Sequence, residues 1–112
     1  MAPAATTAAA ATAAAATDDF LGTLQMNRKG LLDAADSLDD LAAGRQPAPA
    51  KLAAGAAALE RVHADFPGWR DVGDALFGLK ALAGGCAMDL DVKGRQRAGR
   101  LADIVRSLLD QI

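Results

Sequence analysis

The segment from Phe66 to Leu82 constrains the fold more than any other part of the chain. It contains the single tryptophan and two of the three phenylalanines of a sequence without tyrosine. After the turn signal Pro67-Gly68, apolar residues follow at steps of three and four, which is the spacing of one helix face. We expect this helix to anchor the core, and a Trp69→Ala change to cost roughly 3 kcal/mol or more if the ring is buried. The anchoring residues are Trp69, Val72, Leu76 and Leu79, followed on the same face by Ala83.

Length and composition limit the remaining possibilities. A chain of 112 residues is long enough for one domain. Its core must consist mainly of Leu, Ala and Val, because aromatic residues make up only 4% of the chain. The net charge of −2 gives no reason to expect nucleic-acid binding. No apolar run approaches the ~18 residues of a membrane span, so we do not expect membrane insertion.

Residues 1–17 consist mainly of Ala and Thr and carry no charged side chain. One interpretation is a low-complexity tail. The other is the end of a targeting presequence, with Ala14-Ala15-Ala16 as the small-residue cleavage site, although the basic and strongly apolar regions of a complete secretory signal are missing. We therefore divide the chain into this tail and one helical domain, residues 18–112.

Apolar residues at helical spacing predict four helices in the domain. The first covers residues 18–43, the second 50–64 and the fourth 95–111. The third begins at Trp69. It either ends at Gly84-Gly85 or, as we expect, continues through this weak point to about Leu90. Helices joined by short connections predict an all-α fold, a four-helix up-down-up-down bundle.

The first predicted helix has a clear start, a weak middle and a clear end. Thr17 is suited to cap it, Gly30 weakens its middle, and Gly44 is suited to end it. Gly55 of the second helix should permit close packing against a neighbour. The predicted buried stripe of the first helix is Leu21, Leu24, Leu31, Ala35, Leu38 and Ala42, widened by Phe20, Leu32 and Leu41.

Charges of opposite sign are concentrated in two helices. The first helix ends in an acidic turn formed by Asp33, Asp36, Asp39 and Asp40, whereas Arg106 and four further cations make the fourth helix basic. The two groups either pair within the chain and face solvent, or one of them docks a partner in a salt-sensitive way. If docking occurs, we expect it at the charged positions that flank the third helix and in the fourth helix. These positions are Arg70, Lys80, Lys93, Arg95, Arg97 and Arg100.

The sequence offers no set of residues for catalysis or for metal binding. A single thiol, Cys86, and a single imidazole, His63, cannot form a structural zinc site, which needs about four protein ligands. No acid–base pair or nucleophile–base pair stands out. We expect a non-enzymatic protein without catalytic residues, cofactor or metal.

The third predicted helix carries a family resemblance. Its pattern Trp69-x-x-Val72-x-Asp74-x-Leu76-x-x-Leu79-Lys80-Ala81, followed by Asp89-Leu90, resembles the PsbQ family of extrinsic photosystem II subunits. The resemblance implies a four-helix bundle peripheral to the membrane in the thylakoid lumen. It also implies salt-sensitive docking on subunits of the membrane complex, which stabilises the oxygen-evolving centre without ligating it.

A second interpretation concerns the same helix. Phe77-Gly78-Leu79-Lys80-Ala81 is placed where a histidine-phosphotransfer domain carries His-x-x-Lys-Gly. Because Phe77 replaces the histidine, no phosphoryl transfer is possible. The alternative function is therefore a cytoplasmic signalling adaptor that binds a partner through the surface near Lys80.

Overall fold

The computed structural model describes residues 19–85 and 89–112, and all regular structure in these ranges is helical. The predicted all-α class is thereby confirmed. A leading helical segment covers residues 19–26. The longer helices are α1 (Arg28–Ala42), α2 (Pro49–Asp65), α3 (Arg70–Ala83) and α4 (Val92–Leu109). The Ala/Thr-rich residues 1–17, with the predicted cap at Thr17, and Cys86 lie outside the described residues.

The helices enclose one apolar core. α1 packs mainly on α2 and α4, and α3 packs on the same two helices, so that α2 and α4 occupy opposite corners. Of the sequence-predicted anchors, Val72, Leu76 and Leu79 are buried, whereas Trp69 is half-buried at the N-cap of α3. Other core residues from the four helices include Leu31, Leu38, Leu59, Val62, Leu101 and Val105.

A close contact between two helices joins α1 to α2 through small residues. A Cβ atom added to Gly55 would lie 2.6 Å from the Cα of Ala34. One added to Gly30 would lie 2.5 Å from the Cβ of Ala58. Close-packed interiors do not tolerate such distances, so each glycine admits the backbone or a methyl group of the other helix. Gly55 therefore has the predicted role, and Gly30 is a packing site instead of a weak point.

The prediction of one continuous first helix is wrong, because the helix is interrupted at Asn27. The backbone there has φ −106° and ψ 13°. The Asn27 side-chain amide donates to the Thr23 carbonyl at 2.9 Å, and Arg61 Nε of α2 donates to Asn27 Oδ1 at 2.6 Å. A side chain that bonds its own backbone competes with the helical ladder. Beyond the interruption Leu32 is 45% exposed, so it does not widen the buried stripe as expected.

The connection between α3 and α4 also differs from the prediction. α3 ends at Ala83 with Gly84 as its C-cap, and it does not continue to Leu90. Two successive glycines, each about 1 kcal/mol less favourable than Ala in a helix, account for this end. α4 begins at Val92 instead of residue 95, because Asp91 Oδ1 accepts the Gly94 N–H at 2.7 Å and caps the first turn.

Three aromatic rings hold the leading helical segment against the connection between α2 and α3. Phe20 is fully buried, and its ring stacks on Trp69 with centroids 4.1 Å apart and planes 7° apart. The ring of Phe66 meets the ring of Phe20 edge-on at 5.2 Å. Phe20, and not Trp69, is the enclosed member of the cluster.

We expect Gly55→Ala to lower the free energy of unfolding by about 1–3 kcal/mol, the usual cost of overpacking. The added methyl group has no space beside the backbone of Ala34. Gly22→Ala is the matched control, since Gly22 is helical and exposed. A Cβ atom added there would meet no atom within 4 Å apart from its own local backbone. There the better helix propensity of Ala should raise stability by up to about 1 kcal/mol. Urea unfolding of both variants, followed by circular dichroism, measures the difference; equal stabilities would contradict the close contact.

We expect Phe20→Ala to destabilise the fold by about 3–5 kcal/mol and Trp69→Ala by less, because only the Phe20 ring is fully enclosed. This order revises the expectation from the sequence. Urea unfolding of the two variants measures it. Phe20→Ala should also shift the fluorescence of Trp69, the single tryptophan, toward that of a hydrated indole. A larger loss for Trp69→Ala would show that the indole is the principal anchor.

Candidate docking surfaces

The acidic residues of α1 are engaged within the chain. Each of Asp33, Asp36, Asp39 and Asp40 has a basic partner. The pairs are Asp33–Lys29 at 3.4 Å, Asp36–Lys51 at 3.2 Å, Asp40–Arg45 at 3.1 Å, and Asp39–Arg106. Asp33 is buried, whereas the other three pairs are at least partly exposed, and exposed pairs contribute little to stability. They do neutralise the acidic turn, so intramolecular pairing is the interpretation that applies to these carboxylates.

Most of the basic residues of α4 differ from the α1 acids, because they are not paired with an opposite charge among the described residues. Among the residues that the structure describes, Arg106 alone of these cations has carboxylate partners, Asp39 and Asp103. Within residues 19–85 and 89–112, no carboxylate lies within ion-pair distance of Lys93, Arg95, Arg97 or Arg100. All four are exposed. The cations therefore remain available to a ligand of opposite charge.

The phase of α4 separates these four cations into two groups. Lys93, Arg97 and Arg100 follow at steps of four and three and share one face, which we call the basic stripe. Arg95 falls on the side that faces α1. Its guanidinium covers Gly44, where a Cβ atom would lie 2.9 Å from Arg95 Cζ. Arg95 thus packs over the end of α1, apart from the stripe.

A groove lies beside the basic stripe, between α3 and α4. Its volume is about 360 Å³, and Arg97 and Arg100 line it together with Asp74 of α3. Leu101 and Ile104 supply its apolar part. The groove can accept an apolar side chain of a partner that is flanked by carboxylates in the partner's own sequence. The carboxylate of Asp74 would repel a ligand that carries only negative charges.

The other two sequence-predicted docking residues do not join the stripe. Lys80 Nζ lies 2.8 Å from Glu60 Oε1 of α2, on the side of α3 away from α4. The hydrogen bond from Lys80, and secondly its charge, lower the pKa of the Glu60 carboxyl against a small opposing effect of desolvation. Arg70 is exposed at the first turn of α3. The six predicted positions therefore form no single patch.

Sequence reasoning did not identify the exposed aromatic surface on α3. Phe77 is 58% exposed, and its ring contacts the half-buried His63 edge-on, with centroids 5.4 Å apart. His63 Nδ1 is buried without a hydrogen-bond partner among the described residues. The exposure of Phe77 could have been predicted from the sequence, because Phe77 lies off the face defined by Val72, Leu76 and Leu79.

The described residues contain no cluster of three or more His, Cys, Asp or Glu side chains placed to hold a metal ion. In the same ranges, no helix has the length and apolar character needed to cross a membrane. Comparisons with protein-family models, curated proteins and solved structures gave no match. A functional proposal must therefore come from the surfaces of the chain itself.

Proposed function

We propose that this chain is a four-helix up-down-up-down bundle that acts as a non-enzymatic accessory subunit and docks on a larger complex through the basic stripe of α4. The observation that carries this proposal is the contrast between α1 and α4. The α1 acids are paired within the chain, whereas Lys93, Arg97 and Arg100 have no carboxylate partner among the described residues. A group of exposed cations attracts an acidic surface over about one Debye length, and high salt screens that attraction.

Our specific proposal for the complex is photosystem II, with the chain as a PsbQ-like extrinsic subunit in the thylakoid lumen. Its role there would be to stabilise the oxygen-evolving centre from outside, without ligating the metal cluster. Two features support this assignment. The segment Trp69–Ala81 has the family-like pattern, and the Ala-rich residues 1–17 are similar to the end of a thylakoid-transfer presequence.

A helical signalling adaptor is the second candidate. It is favoured by the exposure of Phe77, which occupies the position where a phosphotransfer domain presents its histidine. A partner of that class would contact α3 near Phe77 and Lys80, and the basic stripe would play no part. The two candidates thus differ in the surface that carries binding.

The test is sedimentation of the full chain with photosystem II membranes that have been stripped of their extrinsic proteins. We expect binding at about 0.1 M salt and release at about 1 M, where the Debye length falls from ~10 Å to ~3 Å. A triple variant should abolish binding and the associated gain in oxygen evolution. It combines Lys93→Gln, Arg97→Gln and Arg100→Gln.

The matched control is a triple variant in which Lys29, Arg45 and Lys51 are replaced by Gln. It makes the same change in net charge, but it removes cations that already have carboxylate partners. This control should bind like the unmodified chain. Failure of the unmodified chain to bind, or equal loss in both triple variants, would refute docking through the basic stripe.

A further inference from the structure

A second surface, distinct from the basic stripe, lies where α2 and α3 meet. We call it the α2–α3 face and define it by Ala56, Glu60 and His63 of α2 and Phe77 and Lys80 of α3. The α2 residues recur at steps of four and three, as residues on one side of a helix do. α4, which carries the stripe, is at the corner opposite α2.

The α2–α3 face carries an apolar projection and an apolar groove. The projection is Phe77, whose ring is more than half exposed. The groove has a volume of about 310 Å³ and is lined by Leu52, Ala53 and Ala56 of α2 and by Leu79 and Ala83 of α3. A cavity of ~150 Å³ is enough to hold a benzene ring, so the groove can admit a phenylalanine side chain.

The projection and the groove are close together along α3. Phe77 precedes Lys80 and Ala83, which line the groove, by three and six residues. At a rise of 1.5 Å per residue, these separations correspond to about 5–9 Å. The ring of Phe77 lies against His63 and does not line the groove of its own chain.

A pair of opposite charges stands between the projection and the groove. Lys80 Nζ lies 2.8 Å from Glu60 Oε1, and both side chains are about half exposed. The face thus carries one anion and one cation beside each other. A uniformly acidic ligand would meet Glu60, and a uniformly basic ligand would meet Lys80.

We propose that the α2–α3 face binds a second copy of this chain and forms a two-fold symmetric dimer. In such a dimer the same patch must complement itself in both shape and charge. A two-fold axis near the Glu60–Lys80 pair places Phe77 of each copy in the groove of the other. It also brings Glu60 of each copy beside Lys80 of the other, where the second carboxylate oxygen can accept a further hydrogen bond.

The proposal is tested by sedimentation equilibrium of the full chain over a wide range of concentration. We expect a monomer–dimer equilibrium. Phe77→Ala should raise the dissociation constant about 30-fold or more, the change expected for an interface hot spot. Ala53→Trp should have a similar effect by filling the groove, and residue 53 is exposed, so the fold has room for the larger ring.

Three further variants test charge and specificity. Lys80→Glu should weaken the dimer because it places like charges together, and the exchange of Glu60→Lys with Lys80→Glu should restore it. Met26→Ala is the control for loss of an exposed apolar side chain, since Met26 is 88% exposed and lies on another surface. It should leave the dissociation constant unchanged.

Circular dichroism should show unchanged folding for all these variants, because the altered side chains lie at the surface. A monomer at every concentration would overturn the proposal. A dimer that survives both Phe77→Ala and Ala53→Trp would also overturn it, because the contact would then lie elsewhere. The triple change in the basic stripe should leave the dimer intact, so the failure of one proposal is distinguishable from the failure of the other.

Discussion

The close approach of α1 and α2 is the contact on which the remaining structure depends. Gly30 and Gly55 allow each helix to sit against the small residues of the other, with Ala34 and Ala58 at the contact. This approach places Arg61 of α2 within hydrogen-bonding distance of Asn27, where the first helix is interrupted. It also brings Lys51 to Asp36. Because Gly30 and Gly55 have no side chains, the helices approach closely. This approach determines the direction of the leading segment and part of the charge pairing of α1.

Charge pairing then determines which surfaces remain available. α1 packs on α2 and α4, and its acids find basic partners on both of these helices as well as nearby in the chain. In the described part of the chain, Arg106 is the one α4 residue that pairs with an α1 acid, and it shares the α1-facing side of α4 with Arg95. Lys93, Arg97 and Arg100 share another face, and Arg97 and Arg100 line the groove between α4 and α3. The nearly neutral chain thus presents a local cationic surface on α4, while the α2–α3 face balances a single anion with a single cation.

Helical periodicity predicted much of this fold and less of its surfaces. The three/four spacing identified the all-α class and the burial of Val72, Leu76 and Leu79, since the face of a helix is encoded locally. The interruption at Asn27 depends on Arg61, a residue far along the chain, and periodicity could not indicate it. The basic residues of α4 were apparent as a group. Their division between the stripe and the α1 side became clear only from the packing of α1. The position of Phe77 off the buried face was visible in the sequence, but its contact with His63 of α2 was not.

The central claim is that the basic stripe of α4 binds the partner complex. Site-specific photocrosslinking tests this directly, with a benzoylphenylalanine at Gln96, an exposed position among the stripe residues, or at the exposed Met26 on another surface. We predict that the probe at Gln96 crosslinks to a subunit of photosystem II in low salt and loses that crosslink in high salt, and that the probe at Met26 gives none. A crosslink from Met26 alone, or one from Gln96 that persists in high salt, would contradict docking through the stripe.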